Sequence, residues 1–207
     1  MKNKTIIIVL TVLGVILAVL IGSYFIKMSN TSENPGDTEN ETGENKQVDT
    51  EQSQNIIVTD NFSINLPAGW AQTQPIKEIL VMAVNADENI SDPAAQKINF
   101  RTYFAIVHEE LEGKSMDEYL QNLKDYLSVS IPGTVFTKEE DIIIDDKPTH
   151  VMEIELTQND VNIKALSAII NEQGSSVWVV SFNTTKDNWD RYKETFYGTA
   201  NSFKLIR

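Results

Sequence analysis

Residues 134–184 read TVFTKEEDIIIDDKPTHVMEIELTQNDVNIKALSAIINEQGSSVWVVSFNT. Four runs rich in aliphatic, aromatic and β-branched residues, at about 134–144, 148–157, 161–171 and 176–184, carry the composition of strands. Between them lie Asp145-Asp146-Lys147, Gln158-Asn159-Asp160 and Glu172-Gln173-Gly174-Ser175. A parallel crossover needs a dozen or more residues, so connections this short join antiparallel neighbours. The stretch is therefore an antiparallel meander, and the rest of the domain must be arranged around it.

Upstream, Phe62, Ile64 and Leu66 alternate with polar residues, which predicts a half-buried strand ended by Pro67 and Gly69, with Trp70 following. Residues 78–85 (EILVMAVN) read as a second strand, 87–93 as a polar loop, and 97–108 (KINFRTYFAIVH) as a long third strand. Met116, Tyr119, Leu120, Leu123, Tyr126 and Leu127 then recur at helical spacing. Ser115 with Glu118 forms a capping box at the helix start, and Pro132-Gly133 stops it. Downstream of the meander a last helix begins near Asp187, striped by Trp189, Tyr192, Phe196, Ala200 and Phe203. The order of three strands, helix, four strands, helix predicts an α+β fold. It consists of one antiparallel sheet of six to seven strands flanked by helices.

The first thirty residues carry a different signal. Residues 5–26 contain no charge over 22 positions. That length gives about 33 Å of helix, enough for a hydrocarbon core of ~30 Å. A cleaved signal peptide would have a shorter apolar core and a small-x-small cleavage site. Residues 20–23 supply a poor one, so the stretch reads as an uncleaved single-pass transmembrane anchor. Lys2 and Lys4 precede it and only Lys27 follows closely, which places the N-terminus in the cytoplasm and the remainder outside. Gly14, Ala18 and Gly22 form a small-residue stripe that would let two such helices approach closely, although small residues are also common in membrane helices that do not pair. Residues 29–55 hold seven acids, one lysine and one aliphatic residue, Val48, and so cannot offset the entropy of ordering. The expected organisation is an anchor at 1–28, a disordered acidic linker at 29–56 and a globular domain at 57–207.

The chain has a net charge of −13, which argues against a basic nucleic-acid-binding surface. It contains no cysteine, so disulfides, thiolate metal sites and thiol nucleophiles are excluded. Glu112-Gly113-Lys114-Ser115 sits between a strand and a helix, as a phosphate loop would. The glycine needed five residues before Gly113 is replaced by His108, and three nearby acids would repel phosphate, so a turn and a helix cap explain it. His108 with Glu109, Glu110 and Glu112 would make only a weak divalent-cation patch, since the spacing fits no dedicated loop. His150 reads as a partly exposed sheet residue, and Trp70, Trp178 and Trp189 as core. No serine-hydrolase or zinc-protease pattern occurs. No catalytic, cofactor-binding or metal residue is assigned, and the chain is not expected to be an enzyme.

The domain nevertheless resembles the PsbP-like family. The likeness rests on Phe62-x-Ile64-x-Leu66-Pro67-x-Gly69-Trp70 at its start, a helix before a long antiparallel meander, and an aromatic-striped helix closing on Ser202-Phe203-Lys204. The resemblance implies an α/β/α sandwich over about residues 57–207, in a group that includes the extrinsic photosystem II protein and DcrB-like bacterial envelope proteins. It implies a non-catalytic accessory or binding module. No functional residue carries over, because the shared pattern is a strand and a turn. The expectation is a membrane-anchored, extracytoplasmic bacterial member that binds an envelope protein. The alternative is a sensor domain for a small ligand or divalent cation.

Overall fold

Asp and Asn occupy the meander's turns for a conformational reason. In the computed structural model Asp145 and Asp146 have φ of 49° and 58°, and Asn159 and Asp160 have φ of 50° and 63°. Two successive residues at positive φ make the two-residue turn that matches strand twist, and short polar side chains tolerate that region best. The structure describes residues 55–75, 78–172 and 174–206. The anchor, all but the last two residues of the linker, and the Gly14, Ala18 and Gly22 stripe lie outside the described residues. Among the described residues no helix is long and apolar enough to cross a membrane.

Ten strands and three α-helices are present among the described residues. The strands are β1 (Ile56–Val58), β2 (Phe62–Asn65), β3 (Trp70–Thr73), β4 (Val81–Asn85), β5 (Tyr103–Glu110), β6 (Val135–Ile144), β7 (Lys147–Gln158), β8 (Val161–Glu172), β9 (Ser176–Thr185) and β10 (Lys204–Leu205). The helices are α1 (Pro93–Lys97), α2 (Met116–Ser130) and α3 (Trp189–Asn201). The four meander strands and α2 lie where the sequence puts them. A seven-stranded sheet runs in the order β3-β4-β5-β9-β8-β7-β6, and every pairing is antiparallel.

Three expectations need correction. The sheet is not single, because β2 leaves it to form a separate three-stranded sheet, β1-β2-β10, with the two ends of the domain. Trp70 does not merely follow a turn but opens β3, which pairs with β4. Residues 97–102 are not strand. Pro93 starts α1, and Asp92 Oδ1 caps it by accepting the N–H groups of Ala94 at 2.7 Å and Ala95 at 3.1 Å. Past the helix, Asn99 turns the chain at φ of 50° and the Phe100 N–H bonds back to Ala95 O at 2.9 Å, so the apolar alternation of Ile98 and Phe100 closes the helix end instead of making a strand. Asp92→Ala is expected to cost about 1 kcal/mol by urea unfolding; an unchanged midpoint would show that the cap is idle. At the start of the small sheet, Ile56 pairs with Asn65.

Strand periodicity divides the core in two. On one face α2 lays Leu120, Leu123 and Leu127 over Met152, Ile154, Ile169 and Val179. On the other, α3 and the small sheet close over Phe104, Phe182 and Trp178. Phe196 of α3 lies 5.0 Å from Phe182, 5.9 Å from Trp189 and 6.3 Å from Trp70. All three tryptophans are buried. The result is helix, sheet, helix, with β6 left as a long outer strand.

Candidate binding cleft at the outer strand

A cleft of about 500 Å³ opens between α2 and the β6–β7 hairpin. Helical spacing brings Met116, Leu120 and Lys124 to its wall at every fourth residue, with Asp117 and Gln121 beside them. From the sheet come Asp141, Ile143, Pro148 and His150. Asp141 and His150 are cross-strand partners, and Ile143 faces Pro148. The lining thus joins an aliphatic floor to a few polar groups.

Those polar groups are linked. His150 Nδ1 lies 2.7 Å from Asp141 Oδ1, and its Nε2 lies 3.1 Å from Glu139 Oε2. Lys124 donates to the same Glu139 oxygen at 2.5 Å, tying α2 to β6. The Lys124 ammonium, helped by His150, holds the Glu139 carboxyl below the usual range. The His150 side chain is only 13% exposed, whereas Asp141 is 87% exposed. Each ring nitrogen of His150 thus faces a carboxylate oxygen, and the two contacts hold the ring in place.

The other sequence candidates are dispersed. Along β5 the side chains alternate, so His108 and Glu109 point to opposite faces. His108 stacks 4.4 Å from Trp178, with Nε2 3.3 Å from Glu172. Glu109 is buried and accepts from Tyr119 Oη at 2.9 Å, and burial pushes its carboxyl up to about 7. Glu112 and Gly113 form the turn, at φ of 51° and 79°. The Ser115 hydroxyl is used by the capping box. Among the described residues no group of His, Asp and Glu is arranged to hold a metal ion.

A second charged group pins α3. Glu153, buried on the α3 side of β7, bonds Lys164 at 3.1 Å, Lys193 at 3.4 Å and Tyr197 Oη at 3.0 Å. Burial alone would raise the Glu153 carboxyl, but the Lys164 and Tyr197 hydrogen bonds and the lysine charges outweigh it and hold it below the usual range. Sequence reading missed both clusters. One signal was available for the first: a two-residue turn at Asp145-Asp146 makes partner numbers sum to a constant, which sets Asp141 opposite His150.

No family model and no curated protein matches the sequence. Similarity to solved structures is clear. Cyanobacterial PsbP (CyanoP) from Synechocystis sp. PCC 6803 matches with a TM-score of 0.54 at 17% identity, covering 79% of this chain and 98% of that one. LpqN, involved in cell envelope biogenesis of Mycobacterium tuberculosis, matches with a TM-score of 0.55 at 9% identity, covering 76% of this chain and 88% of that one. The Saccharomyces cerevisiae Ran-binding protein Mog1p matches with a TM-score of 0.50 at 12% identity, covering 74% of this chain and 97% of that one. Identities this low report architecture, not activity. With a seven-stranded antiparallel sheet between two helical layers and a smaller sheet at its side, the chain has the PsbP-like α+β fold.

Proposed function

We propose that this chain is a membrane-tethered, extracytoplasmic accessory module that binds an envelope protein and performs no chemistry of its own. The observation that carries this reading is the state of the cleft. Its one histidine and the acids around it are spent on one another, while its aliphatic wall and the exposed Asp141 face outward. Binding needs such a surface, whereas catalysis needs a group left reactive. The fold supports the reading by analogy: LpqN is described as involved in envelope biogenesis and Mog1p as Ran-binding. Residues 5–26 would supply the anchor, residues 29–55 the spacer, and Gly14, Ala18 and Gly22 a face for pairing two anchors.

The test uses the full chain in bacterial cells, with a photo-crosslinking residue in place of Gln121 at the cleft. Protease added to intact cells should remove the domain and leave the N-terminus in the alkali-resistant membrane fraction. Irradiation should give a discrete crosslinked protein. A protected domain, or a chain extracted by alkali, would overturn the topology; absence of any crosslinked protein would overturn the partner. A second reading, a small-ligand sensor, is favoured by the cleft's volume, which falls in the range of ligand sites, roughly 300–1,000 Å³. It predicts no protein adduct at position 121.

A further inference from the structure

We infer that the open edge of β6, from Glu139 to Ile143, receives an extended basic segment of a partner protein by strand addition, with alternate side chains of that segment entering the cleft. This rests on the reading of the domain as a partner-binding module, and names the partner's chemistry and its mode of attachment.

The hairpin sets which backbone groups of β6 face outward. Ile144 and Lys147 close a two-residue turn, so they exchange both backbone hydrogen bonds. Bonded and non-bonded pairs alternate in an antiparallel ladder. Ile143, Asp141 and Glu139 therefore turn their N–H and C=O groups away from β7 and toward the edge. Pro148, which has no N–H to give, sits opposite Ile143 in agreement with that register. Strand β6 is the last of its sheet and has no partner but β7 among the described residues. The register shift between Phe136 and Lys138 ends the regular edge on one side, and the turn at Asp145 ends it on the other. The remaining length suits a short peptide strand.

The side chains of the same three residues point to the α2 face, where the cleft lies. Ile143 is 66% exposed although it borders that cleft. An added strand would set every second side chain beside Ile143 at the open side of the cleft, and its backbone would meet the unpaired groups. Edge and cleft are thus two parts of one surface, as in peptide recognition by strand addition.

Charge selects the occupant. Glu139, Glu140 and Asp141 run along the strand and Asp145 and Asp146 follow; Glu139 is paired with Lys124, so the solvent-facing charge of the edge is chiefly that of Asp141, whose side chain is 87% exposed. Lys138 is already bonded to Glu140 at 2.6 Å. Charges on an outer strand block unwanted pairing. Here they block a second copy of this chain, because antiparallel self-pairing centred on Asp141 sets that carboxylate against itself. The exposed Asp141 carboxylate, turned to solvent at the middle of the edge, favours a basic side chain on an incoming strand.

The experiment uses the full chain in zwitterionic lipid nanodiscs and a labelled nine-residue peptide that alternates valine with lysine and threonine. Fluorescence anisotropy should show binding. The peptide N-methylated at alternate residues, which keeps its charge but cannot pair, should bind at least about tenfold more weakly. The version with glutamate for lysine should not bind. Ile143→Pro removes an outward N–H without breaking a bond to β7, and should weaken binding by about tenfold or more. Asp141→Lys should weaken it similarly without touching the backbone. Circular dichroism on both variants checks the fold. Equal binding of the N-methylated peptide, or wild-type binding by Ile143→Pro, would overturn strand addition, as would no binding of the basic peptide at millimolar concentration. If crosslinking at position 121 still captures a protein in that case, the module reading stands and only this mode of attachment falls.

Discussion

Phe196→Ala is expected to lower the stability of the domain by about 3–5 kcal/mol. The ring is fully buried at the centre of the α3 face. It stacks on Phe182 at 5.0 Å and on Tyr192 at 6.0 Å, and meets Trp189 and Trp70 edge-on. Those neighbours belong to the helix itself, to β9 and to β3, so they are held from three directions and cannot collapse into the space left behind. Loss of transfer energy and the residual cavity then add. Urea unfolding, followed by tryptophan emission, measures the change. Phe196→Leu should recover more than half of it. A loss below about 1 kcal/mol for alanine would mean that the aromatic cluster repacks and is not rigid.

The second large effect concerns pH. Glu109 is 5% exposed on the α2 side of the sheet, with one oxygen bonded by Tyr119 Oη and the other, Oε1, without a partner among the described residues. Burial pushes its carboxyl from 4.5 up to about 7. The folded chain therefore keeps a proton, between pH 4.5 and about 7, that the unfolded chain has released. Stability from this group is fully present below 4.5, falls as pH rises and levels off above 7. The span corresponds to about 3 kcal/mol. Glu139, Glu153 and Glu155, whose carboxyls sit below the ordinary range, act in the opposite sense and lose their contribution as pH falls. The difference between wild type and Glu109→Gln isolates the first effect. The glutamine variant should be more stable by about 3 kcal/mol at pH 8 and nearly equal to wild type at pH 4.5. Parallel stability curves for the two proteins would sink the assignment.

The architecture was legible where a local signal and the tertiary outcome agree. The meander could be read because Asp145-Asp146 and Asn159-Asp160 tolerate positive φ, and α2 because its leucines recur at three and four behind a capping box. The failures fall where local and tertiary signals part. Trp70 looked like the residue after a turn, but its indole is needed against Phe104, at 5.8 Å, and that docking makes a strand of Trp70–Thr73. Ile98 and Phe100 alternate as strand residues do, yet they pack on the α2-side core from the end of α1 and the loop after it. The separation of β2 from the main sheet depends on β10, two residues at the far end of the chain, and no local pattern announces it. The cleft was hidden for a related reason. Its members are residues 116–124 of a helix and 141–150 of a hairpin, and only their docking brings Lys124 to Glu139. Every residue of β9 is buried, so alternation there could not show which face belonged to which helix.

The three-stranded sheet deserves a mechanical reading. Strand β1, where the described chain enters, and β10, near its far end, flank the same strand, β2. Tension arriving along the preceding segment would fall on the three-residue ladder of β1, not on the twelve-residue ladders of β7 and β8. That ladder acts as a fuse. Under load Ile56–Val58 would peel away first and release about 10 Å of chain, while the seven-stranded sheet, with β6 at its outer edge, keeps its shape.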